Sequence, residues 1–130
     1  MQRHNPMPVL PSYEAIYAHG VEVSAGARTL FISGQVGVDG DYQLVEGGFG
    51  PQCRQAISNL ESVLRSANMT LRDIVKITVF LTNREHLTEL RDARLKYLAV
   101  APAVTSVIVA GLHHPDWLVE IEAIAAAQQP

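Results

Sequence analysis

Trp117-Leu118-Val119-Glu120-Ile121-Glu122-Ala123-Ile124-Ala125-Ala126, close to the end of the chain, reads as a β-strand that is apolar on both faces. Val119, Ile121 and Ala123 share one parity, while Leu118 and Ile124 share the other with the carboxylates of Glu120 and Glu122. Val104-Thr105-Ser106-Val107-Ile108-Val109-Ala110 does the same inside a strand expected over Val104–Leu112, and His113-His114-Pro115-Asp116 turns the chain between the two. A strand with one wet face alternates apolar with polar residues. These two do not, so both faces are expected to be covered.

Upstream, Asp73–Leu81 (DIVKITVFL) sets Ile74, Lys76, Thr78 and Phe80 against Val75, Ile77, Val79 and Leu81, another strand. Arg28–Val38 (RTLFISGQVGV) is a strand by its β-branched and aromatic content, and Ala15–Val23 is a shorter one that ends at the turn Ser24–Ala27. Two helices separate them. From Pro51 to about Asn68, Ala56, Leu60, Val63, Leu64 and Ala67 recur at spacings of three and four; Pro51 suits a first turn and Asn68 an end. Asn83 can cap a second helix over Arg84–Ala99, with Leu87, Leu90, Arg94, Leu95 and Leu98 along one side. Met1–Pro11, with three prolines, reads as an irregular arm. The order β-β-α-β-α-β-β specifies an α+β fold, one domain over residues 1–130, with two helices on one face of a sheet. The cover expected for the other face is a second copy of the chain.

Composition narrows the function. Hydrophobic residues at 48% and charged residues at 18% exclude a disordered chain or a coiled coil. A net charge of −3 argues against nucleic acid as a partner. The single cysteine, Cys53, offers no internal disulfide and no thiolate cluster, and is expected to be a helix packing residue. Met1-Gln2-Arg3-His4 lacks a signal-peptide pattern, and Val104–Leu112 is far short of the ~20 apolar residues that cross a bilayer, so a cytoplasmic protein without membrane association is expected.

Four segments, taken in order, resemble the Rid family, also called YjgF or reactive-intermediate deaminase proteins. Ile32-Ser33-Gly34-Gln35-Val36 resembles its ISGQ strand, and Asp73–Leu81 its DIVKTTVF strand. Pro102-Ala103 with Val107-Ile108-Val109-Ala110 resembles PARSxVxVA, and Val119-Glu120-Ile121-Glu122-Ala123-Ile124-Ala125 resembles IEIEAIA. The resemblance runs from about Tyr17 to Ala126. It implies a fold like that of the small chorismate mutases, a homotrimer with sheets inward and helices outward, and small-molecule clefts between subunits. The implied activity is hydrolysis of 2-imino or enamino acids to 2-keto acids and ammonia, with no cofactor.

Such chemistry needs a carboxylate anchor, a proton carrier and a positioned water. A carboxylic acid in a partly dry cleft can move protons because desolvation raises its pKa toward the working pH. Glu120, matching the first Glu of the family's EIEA motif, is the expected catalytic residue; Glu122 shares its strand face, and the pair could instead make ion pairs at a subunit interface. The resemblance adds Tyr17, Ser33, Gly34, Arg91 and Ser106 as candidate substrate-binding residues. Arg91 stands where better-known members place an Asn, and Ser106 where some have Cys. The anchor departs from the pattern: Val104 replaces the Arg of PARS, and valine binds no anion. The chain therefore reads as a divergent Rid protein, an imine or enamine deaminase or, alternatively, a non-catalytic metabolite-binding or scaffold trimer. Ribonuclease action, claimed for some relatives, ranks last given the charge. His113 and His114 are adjacent and face opposite sides when extended, so no metal is expected.

Overall fold

The computed structural model describes residues 1–7, 9, 17–98 and 101–129. Its strands are β1 (Gln2–His4), β2 (Gly20–Glu22), β3 (Arg28–Val36), β4 (Ile74–Leu81), β5 (Ala103–Ile108) and β6 (Val119–Ala127), and its helices α1 (Phe49–Ser66) and α2 (Leu87–Tyr97). One sheet has the order β3-β6-β4-β5. Both neighbours of β6 run antiparallel to it, while β4 and β5 are parallel and need the crossover that α2 supplies. Strands β1 and β2 pair separately.

Helix α1 buries Phe49, Gln52, Cys53, Ala56, Ile57, Leu60 and Leu64 along one stripe. Facing them, Ile77, Val79, Leu81, Val119, Ile121, Ala123 and Ala125 make the core side of the sheet. Each large aliphatic side chain buried there stabilises the fold by about 1.5–3 kcal/mol. The helix ends where Asn68 takes a left-handed φ of 55°. Asn68 N–H then donates to Arg65 O (3.0 Å) and Met69 N–H to Leu64 O (2.9 Å), satisfying carbonyls that a helix end leaves open. Thr70 and Asp73 cap the turn that follows: Thr70 N–H donates to Asp73 Oδ2 at 2.8 Å.

Of the arm expected over Met1–Pro11, Pro8, Leu10 and Pro11 lie outside the described residues. Residues 2–4 form β1, held by pairing to β2, by His4 Nε2 against Glu22 Oε1 at 2.8 Å, and by Arg3 Nε donating to Ala101 O at 2.9 Å. Of the strand expected over Ala15–Val23, Ala15 and Ile16 lie outside the described residues, and the observed strand is Gly20–Glu22; Ala18 bridges Ala103 instead. The third strand stops at Val36, because Gly37 presses on α1 so closely that a Cβ there would lie 2.7 Å from Gln52 Cα. Asn83 caps a short 3-10 turn, Arg84–His86, before α2 begins. Within α2 only Leu90 is buried, and the expected stripe residues Leu87 and Leu95 are exposed; Ala99 is outside the described residues. β5 stops at Ile108 rather than Leu112 because its partner β4 has run out: Val109 N–H takes the last ladder bond, to Leu81 O at 2.7 Å. From Thr105 to Ile108 this edge strand is exposed on both faces. Among the described residues no helix is long and apolar enough to cross a membrane.

Candidate active site

Alternation places the two halves of β6 chemistry on opposite sides. Val119, Ile121 and Ala123 point into the core, so Glu120 and Glu122 point out of the uncovered sheet face, roughly 6.5–7 Å apart along the strand. Glu120 sits between Val36 of β3 and Phe80 of β4, and Glu122 opposite Thr78. The ladder between β3 and β6 is irregular between Ile32 and Gln35, and Ser33 and Gly34 occupy that irregularity. The Glu120 side chain lies directly over Gly34: a Cβ added there would come within 2.8 Å of Glu120 Cδ and 2.9 Å of Cγ. Gly34 therefore provides the space in which the carboxylate rests.

Around it is a shallow depression of ≈ 340 Å³ lined by Phe80, Val109, Gly111, Leu112, His113, Glu120 and Glu122. Its wall is apolar apart from two carboxylates and an imidazole, and no lysine or arginine is among these residues. Lys76, on the same strand as Phe80, donates from Nζ to Thr105 Oγ1 at 2.8 Å. Gln52 braces the loop that leads into β6. Its Nε2 donates to Asp116 O (3.0 Å) and its Oε1 accepts from Leu118 N–H (2.9 Å), although the side chain is only 3% exposed.

Gly34 and Glu120 thus meet, with Ser33 next to Gly34 in the same irregularity. The other candidates lie elsewhere in the same chain. Ala18 N–H donates to Pro102 O at 2.9 Å, which puts Tyr17 beside the start of β5, its ring edge-on to His19. Ala18, Ala103 and Lys76 are in register, four residues along β4 from the Phe80 that pairs with Glu120, or about 13 Å. Val104 and Ser106 pair with the core-facing Ile77 and Val79, so they project from the opposite sheet face to Glu120, while Thr105 projects from the same one. Arg91 is exposed on α2 and does not line the depression. Cys53 is fully buried, and burial pushes its thiol up to about 11, as suits a packing residue. Among the described residues no three His, Cys, Asp or Glu side chains are grouped to hold a metal ion.

Two contributors escaped the sequence reading. Gln52 stands in the α1 stripe four residues before Ala56, and a polar residue at an apolar position was its signal. His113 lines the depression, a placement that neither its turn nor its adjacency to His114 encodes.

The family model described as Endoribonuclease L-PSP matches residues 9–127. The chain belongs to the Rid family, also called YjgF. Protein HMF1 of Saccharomyces cerevisiae is 36% identical over 118 residues, covering 89% of this chain and 88% of that one. The 2-iminobutanoate/2-iminopropanoate deaminase of Mus musculus is 37% identical over 111 residues, 84% of this chain and 79% of its own. Among solved structures, the Rid-family protein YyfB from Yersinia pestis, of unknown function, superposes with a TM-score of 0.85 at 31% identity, over 97% of this chain and 98% of that one. The α+β architecture and a Rid-type function follow from these likenesses.

Proposed function

We propose that this Rid protein is a homotrimeric hydrolase of small reactive imines or enamines, with Glu120 as proton carrier in clefts formed between copies. The observation that carries the reading is the seating of Glu120 over Gly34 at the edge of a depression on the uncovered sheet face. Relatives named as imine deaminases, at 37% identity, supply the reaction type. The assembly is supported by the split of the candidates. Glu120 and Gly34 lie together on the open face, Tyr17 lies near the β5 start about 13 Å away along β4, and Val104 and Ser106 project from the other face. A neighbouring copy that packs on the open sheet faces and along the exposed β5 edge can complete what one leaves divided. Those faces offer apolar surface for it, including Phe31, 75% exposed, and Val107, 38% exposed.

In the reaction a water adds to the imine carbon as Glu120 accepts its proton, and collapse of the carbinolamine expels ammonia. Glu120→Gln keeps the shape and removes the proton acceptor, so ammonia release should fall by about 10²-fold or more while the sedimenting mass stays that of a trimer. Retained rate, or a monomer at micromolar concentration, refutes the proposal. The second reading, binding without turnover, rests on Val104. Val104→Arg separates the two: new or faster turnover of a 2-imino acid shows a competent cleft that lacked only its anchor, whereas tighter binding of pyruvate without turnover favours a binding protein.

A further inference from the structure

The loop between β5 and β6 places its two histidines differently. Asp116 N–H donates to His114 Nδ1 at 3.1 Å, and Trp117 N–H donates to His114 O at 3.1 Å, so the His114 ring and backbone are used in making the turn. The Trp117 indole lies 5.8 Å from the His114 ring and 6.2 Å from that of His113. Gln52, buried in α1, anchors the same loop through Asp116 and Leu118. His113 is left facing the depression, among the residues that line it with Glu120 and Glu122.

We propose that His113 is a second proton carrier of this site, serving the substrate nitrogen while Glu120 serves the water. The inference rests on the imine-hydrolase reading above. Adding water across C=N needs a base at oxygen and an acid at nitrogen in the same step, and one carboxylate cannot be both. Imidazole accepts and donates protons near neutral pH, which fits the second role. Among the described residues, the ionisable groups that line the depression with His113 are Glu120 and Glu122 from β6, and its own loop carries His114 and Asp116; the lining residues Phe80, Val109, Gly111 and Leu112 do not ionise.

Starting from carboxylate and imidazolium, water forms its C–O bond to the imine carbon and gives a proton to Glu120. The C=N π pair moves to nitrogen, which takes the His113 proton. Proton exchange with solvent returns Glu120 to carboxylate and His113 to imidazolium. The carbinolamine then breaks its C–N bond as His113 protonates the departing amine and Glu120 takes the hydroxyl proton while C=O forms, and a second exchange with solvent resets the pair. Ketone and ammonia leave, and both side chains regain their starting states.

The test compares wild type, Glu120→Gln, His113→Gln and His114→Gln for ammonia release from an aliphatic 2-imino acid generated in situ, across pH. His113→Gln should lower kcat by about 10²-fold with little change in KM, and lose one limb of the pH–rate profile, while His114→Gln keeps that profile. In the intact wild type, the His113 ring resonances should titrate with the midpoint of that limb. If Glu120→Gln is inactive yet His113→Gln runs at full rate with an unchanged profile, His113 is not a proton carrier and the parent reading stands. A His113 midpoint away from the limb overturns the inference even if the variant fails to assemble. A wild type inactive on every imine offered overturns the parent reading, and this inference with it.

Discussion

Gly34→Ala is the sharpest probe of the site, because the one methyl it adds has a single destination. The new Cβ would lie 2.8 Å from Glu120 Cδ and 2.9 Å from Cγ. Carbon atoms in contact prefer about 3.5–4.0 Å, and Glu120 Oε2 lies nearer still, so the carboxylate must move by more than ~1 Å or swing aside. Overpacking costs about 1–3 kcal/mol, but the atoms displaced are the end of a flexible side chain beside a depression. Alanine also recovers roughly 0.5–1 kcal/mol over glycine in a strand. The net loss of stability is then between about 0 and 2.5 kcal/mol, or a fall in Tm of no more than ~10 °C for a chain of this size. Activity responds differently, since misplacing a catalytic group by ~1 Å can cost about 10²-fold. The expected result is a folded protein of unchanged sedimenting mass that melts near the wild type, at equal protomer concentration, and releases ammonia about a hundredfold more slowly. Full activity in a folded Gly34→Ala protein would show that the carboxylate need not occupy its place over residue 34. A collapse in Tm would show that the glycine is kept for the strand and not for the site.

Gln52→Leu removes the partners of Asp116 C=O and Leu118 N–H together, and should destabilise the protein by about 2–4 kcal/mol in denaturant melts; an unchanged midpoint would mean that the loop finds other partners. Cys53 should resist iodoacetamide in the native protein at pH 8, because its buried thiol is pushed up to about 11 and little thiolate exists there. The raised value also sets a sign. The folded state holds the thiol proton more tightly, so this contribution is whole below the unfolded thiol's pKa and is lost as pH rises through 11. Between pH 9 and 11 wild type should lose roughly 2–3 kcal/mol more stability than Cys53→Ala, and parallel pH curves would contradict the burial argument.

The local chemistry of the chain was legible wherever it depends on near neighbours. Alternation along Asp73–Leu81 and Val119–Ala126 identified β4 and β6, and the spacing of Ala56, Leu60 and Leu64 identified α1 with Asn68 just past its end. The face shared by Glu120 and Glu122 follows from a period of two and required no partner strand. The same local logic misjudged the arm, whose β1 exists because Ala101, Glu22 and Gly20 meet it from far along the chain. It also overextended β5, since a strand's length is set by where its partner ends.

By itself the sequence determined β4, β6 and α1, and that a carboxylate pair would occupy one face of the last strand, because those properties come from backbone geometry repeated every two or 3.6 residues. Tertiary structure alone decided that Gly34 lies beneath Glu120, that Gln52 braces the loop carrying His113, and that Val104 and Ser106 project away from Glu120. Register between strands and the path of a loop are fixed by contacts dozens of residues apart, and no short-range pattern encodes them.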